Sequence, residues 1–301
     1  MRCFKDDIKL NDNEKTAVAL GKFDGIHLGH ATLIREITSC NKYLSSLVFT
    51  FDRSPDVVFA GRDEGYILTM EERRKKLSKM GVDILVEYPF TKEFAALEPV
   101  DFVKHILIDR LHIKMLTVGA DFCFGKGRSG NVSLLRELSK KYDFELNVFD
   151  KLSINGEIVS STLIRDNLKQ GRLSLVEKYL GEPYTIFGVV VNGKRLGRTI
   201  GFPTANIVVS KEKLLPPYGV YRAEIKTKDE TFYGIADLGI KPTVSDDETC
   251  GLETYIFDFD RDIYGETIEV RLKEFIRPEM RFDSVDELVK QIKKDVETAK
   301  A

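Results

Sequence analysis

The sequence predicts two successive domains: an α/β domain, with a parallel sheet covered by helices on both faces, and a small antiparallel β-barrel that ends in one helix. The length of 301 residues suits two domains of about 150 residues each. Up to about Pro183, short apolar stretches alternate with helix-length ones, whereas strand-like runs follow one another closely in the remainder. We therefore predict domains at residues 1–183 and 184–301.

The parallel sheet is predicted from short apolar stretches rich in β-branched residues: TAVALG (16–21), SLVFTF (46–51), DILVEY (83–88), MLTVGA (115–120) and FELNVFD (144–150). Helix signals lie between them. Thr69 and Glu72 have the spacing of a capping box, and Gly81 lies where that helix would end. Pro99 predicts another helix start, and Gly171 closes the segment SSTLIRDNLKQ. Strands that alternate with helices in this way are typical of βαβ units.

The barrel is predicted from six runs broken by Gly, Pro, Asn and Asp: TIFGVVV, FPTANIVV, GVYRAEIKT, TFYGIADLGI, LETYIFDFD and TIEVRLKEF. One helix follows them, and Ser284 and Glu287 predict a capping box at its start. Its apolar residues recur at helical spacing: Val285, Leu288, Val289, Ile292 and Val296. We expect this apolar stripe to lie across the barrel.

Composition and charge exclude several classes of protein. The net charge is −2, divided as +1 and −3 between the two predicted domains, which argues against a domain that binds nucleic acid. Apolar runs fall short of a membrane span, and the N-terminal stretch MRCFKDDIKLNDNEK lacks the apolar region of a secretory signal. Four isolated cysteines suggest neither a zinc site nor a disulfide framework, and we expect a reducing, cytoplasmic compartment.

Two of the four histidines follow the first predicted strand of the α/β domain. His27 and His30 lie in GKFDGIHLGH, where Asp24 and Gly25 predict a turn and Gly29 lets the backbone approach a ligand closely. The next helix begins at the same point, and its free N–H groups favour a phosphate. Two imidazoles there can donate hydrogen bonds to phosphoryl oxygens as charge builds during displacement. A pair of polar loop residues without a ligand is the alternative.

A second candidate site lies in GKRLGRTIGFPTAN (193–206). Thr204 and Asn206 place two oxygen ligands on one side of an extended chain, and Mg²⁺ prefers a few protein oxygens completed by phosphates and water. A well-packed turn is the alternative. Gly188, Gly193 and Lys194 imitate the spacing of a P-loop, but Arg195 stands where Ser or Thr is needed, so we reject that interpretation.

GKFDGIHLGH resembles the HxGH signature of nucleotidylyltransferases, and FDGIHLGH is similar to the FMN adenylyltransferase half of the bacterial bifunctional riboflavin kinase/FAD synthetases. The resemblance implies a Rossmann-like fold, with His27 and His30 on the ATP phosphates beside Gly29. ADFCFGKGRSGN (120–131) and VSSTLIR (159–165) extend it. They imply phosphate-binding residues, Ser160, Ser161, Thr162 and Arg165, and flavin-binding residues, Asp121, Phe122, Gly125 and Arg128. TFDRSP (50–55) departs from the family pattern at Ser54, which receives no role.

GRTIGFPTANI (197–207) resembles the riboflavin kinase signature, and the similarity continues to FIRPEMRF (275–282). It implies that Thr204 and Asn206 bind Mg²⁺ and ATP phosphate together with Gly197, and that Glu253 is the catalytic base. It also implies a flavin-side segment with Arg277, Glu279 and Phe282. Tyr255 and Lys241 depart from the residues that are common in the family, histidine and arginine.

We therefore expect a bifunctional enzyme. The barrel converts riboflavin and ATP to FMN, the α/β domain joins FMN to the AMP part of a second ATP, and both steps need Mg²⁺. The expected partners are these small molecules, with neither nucleic acid nor a membrane, and the oligomeric state stays open. One alternative is an adenylyltransferase for another acceptor, such as nicotinate mononucleotide or phosphopantetheine, with an unrelated barrel. Another is a flavin-binding sensor without turnover, and a DNA-binding regulator is disfavoured by the charge.

Overall fold

A computed structural model of the chain describes residues 1–40, 43–61, 64–193, 196–228, 230–241 and 249–301. The chain forms two compact units. The first contains Met1–Glu64 and Leu68–Ser160, and the second contains Gly65–Ile67 and Ser161–Ala301. The helices between residues 161 and 180 thus group with the second unit by their contacts, and the domain boundary after residue 183 remains our proposal.

The described residues of the first unit form a six-stranded parallel sheet in the order β1-β4-β3-β2-β5-β6. Its strands are β1 (Arg2–Phe4), β2 (Thr16–Leu20), β3 (Ser45–Phe51), β4 (Ile84–Tyr88), β5 (Ile113–Gly119) and β6 (Glu145–Phe149). The helices are α1 (Leu28–Ser39), α2 (Pro55–Ala60), α3 (Met70–Lys79), α4 (Lys92–Ala95), α5 (Pro99–Asp101), which continues as a π-helical segment over Phe102–Ile108, and α6 (Val132–Tyr142). A two-stranded hairpin of β7 (Ser153–Ile154) and β8 (Glu157–Ile158) completes this unit.

Both faces of the parallel sheet are buried. In β2, Ala17 and Ala19 pack in a core with helix residues such as Ile34, whereas Val18 and Leu20 pack in a second core on the opposite face. Successive side chains of a strand point to opposite faces, so a strand that is buried throughout requires cover on both sides. The prediction of a parallel sheet between two helical layers is therefore confirmed.

Most of the helix starts and helix ends predicted for the first unit are present in the structure. The Thr69–Glu72 capping box is complete, Gly81 follows α3 with a φ of 82°, and Pro99 begins α5. Strand β1 was not predicted, because two of its three residues, Arg2 and Cys3, are exposed and give no apolar signal.

The described part of the second unit is a closed barrel in the order β10-β13-β12-β11-β14-β9, with every neighbouring pair antiparallel. Its strands are β9 (Tyr184–Val191), β10 (Thr204–Val208), β11 (Gly219–Lys226), β12 (Thr231–Lys241), β13 (Thr249–Ile256) and β14 (Thr267–Arg277). The helices are α7 (Ser161–Lys169), α8 (Leu173–Leu180), α9 (Leu196–Thr199) and α10 (Val285–Lys300). The predicted antiparallel barrel with a C-terminal helix is confirmed.

Helix α10 packs on the barrel through Ile292, Val296 and Ala299, as predicted from its apolar stripe. Two details of that prediction were wrong. Val285 is 53% exposed, because the stripe reaches the barrel only beyond the first turn. The capping box is half formed: the Ser284 hydroxyl accepts the backbone N–H of Glu287, but the Glu287 carboxylate accepts the N–H of Asp283 instead of that of Ser284.

Two chain-wide features bear on the expectations from composition. None of the helices in the described ranges is both long enough and apolar enough to cross a membrane. Each of the four cysteines lies in the described part of the chain and is a free thiol.

Candidate active sites

The first candidate site lies where the order of the strands in the parallel sheet reverses, between β2 and β5. The chain passes from β2 to β3 and β4 on one side, whereas β5 and β6 lie on the other side of β2. In open sheets of this type, ligands bind in the crevice at the carboxyl ends of the two strands that flank the change. The loop with His27 follows β2, and the Gly-rich loop with Gly125 follows β5.

His27 and His30 form a stacked pair at the start of α1. Their ring centroids are 3.7 Å apart, with an interplanar angle of 18°. His27 is the N-cap of the helix, because its Nδ1 accepts the backbone N–H of His30 at 3.3 Å. A neutral His27 that accepts at Nδ1 holds its proton on Nε2, which is therefore a donor. The Nδ1 of His30 is buried and has no hydrogen-bond partner among the described residues.

Burial keeps both imidazoles neutral at pH 7. Desolvation by burial, together with a smaller effect of the nearby Lys76 ammonium, lowers the pKa of His27 to about 4. Desolvation also holds the pKa of His30 well below its usual value, with smaller effects from His27 and Lys76. The pair therefore offers neutral N–H donors to an anion, with no imidazolium charge that would have to be desolvated.

Gly29 lies in close contact with the His27 ring at this helix start. A Cβ on Gly29 would lie 3.2 Å from Cε1 and 3.3 Å from Nδ1 of His27, which is closer than most side-chain contacts. A Cβ there would require the imidazole that caps α1 to shift by a few tenths of an ångström. The predicted role of Gly29 beside the histidines therefore has a steric reason in the fold.

A cavity of about 570 Å³ in the same unit has eight phenylalanine side chains among its lining residues. Asp121, Phe122, Gly125 and Arg128, all predicted from the sequence to bind flavin, line it together. It also contains residues that the sequence analysis missed: Lys22, Phe51, Phe59, Phe90, Phe94 and Phe102. The rings of these phenylalanines lie edge to face, and the ring centroids of Phe51 and Phe90 are 4.8 Å apart. Such walls suit a planar ring system.

The aromatic residues were missed because they come from distant segments: the end of β3, helix α2, the loop after β4, helix α4 and the π-helical segment. Each is an ordinary apolar residue in its local sequence. No local pattern distinguishes them, and only the structure shows that Phe59 is 61% exposed at the edge of this cavity.

The segment SSTLIR divides between the two compact units. Ser160 belongs to the first unit, whereas Ser161, Thr162 and Arg165 lie at the start of α7 in the second. Arg165 donates from Nη2 to the carbonyl oxygen of Gly65 at 2.7 Å. The phosphate-binding role of these four residues beside the histidines remains a prediction.

The second candidate site lies on two neighbouring strands of the barrel. In the ladder of β10 and β13, Asn206 is directly opposite Glu253, and Thr204 is opposite Tyr255. Side chains of directly opposed residues lie on the same face of a sheet, with Cβ atoms about 4.5–5.5 Å apart. The sequence-distant Glu253 is thus a neighbour of the predicted phosphate and metal ligands.

Thr204 and Asn206 are themselves linked. The Nδ2 of Asn206 donates to the carbonyl oxygen of Thr204 at 3.2 Å and to its Oγ1 at 3.4 Å. Ala205 and Ile207, on the opposite face of the strand, are buried. The oxygens of the pair that could coordinate a cation are the amide oxygen of Asn206 and the hydroxyl of Thr204, and this ligand role remains a prediction.

Gly197 acts through its backbone. Its carbonyl accepts the N–H of Phe202 at 2.7 Å, and a Cβ at this position would lie 2.2 Å from the Phe202 oxygen. Only glycine fits this turn, which leads directly into Thr204. Lys194 and Arg195, named above in rejecting a P-loop, and the side chain of Lys241 lie outside the described residues.

A cavity of about 330 Å³ adjoins Thr204. Its wall includes Arg198, Phe259 and Tyr264, which the sequence analysis did not single out. The Arg198 guanidinium lies 5.6 Å from the centroid of the Tyr264 ring, so a cation and an aromatic surface face the predicted phosphate site together. Arg198 lies within the quoted motif GRTIGFPTANI, but neither its residue type nor its spacing assigned it a role.

The three predicted flavin-side residues of the barrel lie elsewhere. None of them lines the cavity beside Thr204. Arg277 forms a bidentate ion pair with the buried Asp295 of α10 at 2.8–3.0 Å, and its guanidinium lies 5.9 Å from the centroid of the Phe282 ring. Glu279 packs its carboxylate against Gly239 of β12. The flavin role of Arg277, Glu279 and Phe282 remains a prediction.

The side chains at the candidate sites limit how a metal ion could be bound. The described residues contain no cluster of three or more His, Cys, Asp or Glu side chains that could bind a metal. Thr204 and Asn206 contribute two neutral oxygens, which fit a hard cation only when phosphate oxygens and water complete its coordination. This donor set fits Mg²⁺ that arrives with a nucleotide.

Comparisons with known proteins agree with this division into two sites. The family model of FAD synthetase matches residues 9–163, and that of riboflavin kinase matches residues 180–301. The bifunctional riboflavin kinase/FMN adenylyltransferase of Listeria monocytogenes is 39% identical over 290 residues, covering 94% of this chain and 91% of that protein. Its counterpart from Escherichia coli K12 is 37% identical over 291 residues, covering 95% and 92%.

A solved structure extends the similarity to the whole fold. The crystal structure of a protein described as a macrolide-efflux protein from Streptococcus pneumoniae matches with a TM-score of 0.86 and 33% identity, covering 100% of this chain and 99% of that one. The two family models account for nearly all of the chain between residues 9 and 301. The chain therefore belongs to the family of bifunctional riboflavin kinase/FMN adenylyltransferases.

Proposed function

We propose that this chain phosphorylates riboflavin to FMN in its barrel unit and adenylylates FMN to FAD in its parallel-sheet unit, with ATP as the second substrate of both steps. One observation supports the proposal: each compact unit holds its own group of predicted site residues, the histidine pair at the start of α1 in the unit with the aromatic cavity, and Thr204 with Asn206 beside the cavity of the barrel. A single-activity enzyme would need only one of them.

In the kinase step, Glu253 is the general base. Its carboxylate takes the proton of the ribityl 5′-hydroxyl while that oxygen attacks the γ-phosphorus of ATP, and ADP leaves. Asn206, directly opposite Glu253, and Thr204, two residues away on β10, would hold Mg²⁺ together with the ATP phosphates. The metal supplies charge neutralisation when bound, whereas the chain supplies position and the base. The cavity lined by Arg198 and Tyr264 receives the nucleoside.

In the adenylyl step, His27 and His30 stabilise charge on the transferring group. A phosphate oxygen of FMN attacks the α-phosphorus of ATP, the bond to the β-phosphate breaks, and pyrophosphate leaves. The two neutral imidazoles donate N–H groups to phosphoryl oxygens, assisted by the free N–H groups of α1. The flavin ring occupies the aromatic cavity with Phe122. A triphosphate-binding role for Ser160, Ser161, Thr162 and Arg165 is supported by the resemblance of SSTLIR alone. We also propose that the enzyme uses Mg²⁺ in this step and works in the cytoplasm.

The proposal is tested with riboflavin, ATP and Mg²⁺, by chromatographic separation of riboflavin, FMN and FAD over time. We expect FMN to appear first and FAD to follow, with many turnovers per protein. His30→Ala should accumulate FMN without FAD, whereas Glu253→Gln should fail on riboflavin but still convert added FMN to FAD.

Three outcomes would contradict the proposal. Loss of both activities in either folded single variant would mean that the sites are not separate. Stoichiometric binding of flavin without turnover would indicate a sensor. Adenylylation of nicotinate mononucleotide or phosphopantetheine in preference to FMN would indicate a different acceptor.

A further inference from the structure

The loop that presents the two histidines has an unfavourable backbone. Phe23 and Ile26 adopt φ angles of 48° and 43°, although neither residue is glycine. The left-handed region is especially poor for Ile26, which is β-branched. Such a conformation persists only when surrounding contacts impose it, and it is common at functional sites. The side chains of Phe23 and Ile26 are fully buried, which anchors the loop from the inside.

A lysine of helix α3, Lys76, forms hydrogen bonds with the backbone of the same loop. The Nζ of Lys76 donates to the carbonyl oxygen of Ile26 at 2.9 Å and approaches that of Gly25 at 3.4 Å. These are the two peptide carbonyls immediately before His27. Hydrogen bonds from a charged donor are stronger than neutral ones, so the ammonium can fix the orientation of a strained peptide.

The position of Lys76 is itself well determined. Thr69 and Glu72 close a complete capping box at the start of α3. One turn before Lys76, the buried Arg73 donates to the carbonyl oxygen of Phe51 at 3.2 Å and pairs with Glu87 at 3.2 Å. Helix α3 is therefore locked to the end of β3 and to β4, and it delivers the ammonium to a fixed place.

We propose that Lys76 is a positioning residue for adenylyl transfer: it clamps the Gly25 and Ile26 carbonyls and so holds His27 and His30 where their neutral N–H groups meet the phosphates. The inference rests on the proposed FAD-forming activity of this unit. Displacement of a catalytic group by about 1 Å can cost about 100-fold in rate, so a residue that touches no substrate can still matter.

The charge of Lys76 has a second effect on the same rings. The charged or titratable groups of the described residues that act on the pair are Lys76 of α3 and the two imidazoles themselves. After burial, the positive charge of Lys76 contributes to the low pKa of both histidines. Removing it should raise both pKa values, and the acid limb of FAD formation should then move to higher pH.

Three substitutions of Lys76 test the proposal, with Lys79→Met as the matched control. Lys79 lies on the same helix and is exposed, so this control removes the same charge away from the loop. Lys76→Met removes both the hydrogen bonds and the charge, Lys76→Gln keeps a donor without the charge, and Lys76→Arg keeps both. Each is assayed for FAD formation from FMN, with FMN formation from riboflavin as the internal control for an intact second unit.

We expect Lys76→Met to lower kcat for FAD formation about 10- to 100-fold, whereas Lys76→Arg restores most of it and Lys79→Met stays within about twofold. Lys76→Gln should recover part of kcat but share the shifted pH profile. A second readout is independent of activity. NMR titration of the four histidines should show the midpoints of His27 and His30 rising in Lys76→Met and Lys76→Gln but not in Lys79→Met.

The proposal is overturned if Lys76→Met retains kcat within twofold and leaves the histidine titrations unchanged, or if Lys79→Met behaves in the same way as Lys76→Met. Hydrogen exchange of β2 and β5 verifies that the first unit is folded. If Lys76→Met unfolds it, the comparison of Lys76→Gln with Lys76→Arg decides by the same criteria. If the unmodified chain makes no FAD, the proposed function fails, whereas the titrations still measure the effect of Lys76 on the rings.

Discussion

His27 should make the stability of the first unit depend on pH, because it is buried in its neutral form. The substitution His27→Asn isolates this effect. An asparagine oxygen can still accept the N–H of His30, and asparagine is among the preferred N-cap residues, so the helix start keeps its cap. The variant loses a titratable ring and the stacking contact with His30, which is worth about 0.5–1.5 kcal/mol.

The size of the pH effect follows from the two pKa values. With a pKa of about 6.5 in the unfolded chain and about 4 in the folded protein, the unfolded state binds more protons between these values. The stabilisation is therefore present above pH 6.5 and is lost as pH falls through 4. By linkage, the free energy of unfolding of the unmodified protein should fall between pH 7 and pH 5 by about 2 kcal/mol more than that of His27→Asn.

Urea unfolding of both proteins at pH 7 and pH 5, followed by circular dichroism, measures this difference. Burial is the main cause of the low pKa of His30 in both proteins, and groups farther from His27 titrate alike, so their contributions largely cancel in the comparison. The reasoning is refuted if the two proteins lose the same free energy of unfolding within about 0.5 kcal/mol, since His27 would then not be a buried neutral group. At pH 7 the variant should also form FAD about 100- to 1,000-fold more slowly, because it lacks the Nε2–H donor.

Three further predictions concern other contacts. Gly29→Ala should crowd the His27 ring and slow FAD formation by about tenfold or more, with FMN formation unchanged in the same assay. Asp295→Ala should destabilise the barrel by about 3–5 kcal/mol in denaturant unfolding, because it leaves the Arg277 guanidinium without its buried partner, whereas the double change Arg277→Met with Asp295→Leu should recover most of the loss. Phe94→Ala should raise KM for FMN several-fold with little change in kcat, since it removes a cavity wall that contacts substrate and transition state alike; an unchanged KM would exclude Phe94 from the flavin site.

Much of the architecture was accessible from the sequence because local and tertiary signals agree. The short apolar run TAVAL predicts a covered parallel strand, and that strand is buried on both faces. The Thr69–Glu72 spacing predicts a helix start that the fold contains. The motifs around His27 and Thr204 were visible for the same reason, since a helix start and a glycine-rich turn leave local signatures.

The remaining parts of the sites depend on tertiary neighbours that no local pattern encodes. Glu253 is an ordinary strand carboxylate until the barrel register places it opposite Asn206. Lys76 looks like one of several surface lysines on a polar helix, and only the fold brings its ammonium to the carbonyl of Ile26. Asp295 occupies a position that would be exposed on an isolated helix, but its pairing with Arg277 explains its burial.

The central claim, that one chain holds two separate catalytic sites, is tested most directly by mixing two inactivated proteins. His30→Ala and Glu253→Gln are each incubated with riboflavin, ATP and Mg²⁺, alone and together. Neither alone should form FAD, whereas the mixture should, because FMN released from the intact kinase site of one protein reaches the intact adenylyltransferase site of the other. A mixture of the two folded variants that forms no FAD, although each retains its own remaining activity, would contradict the account.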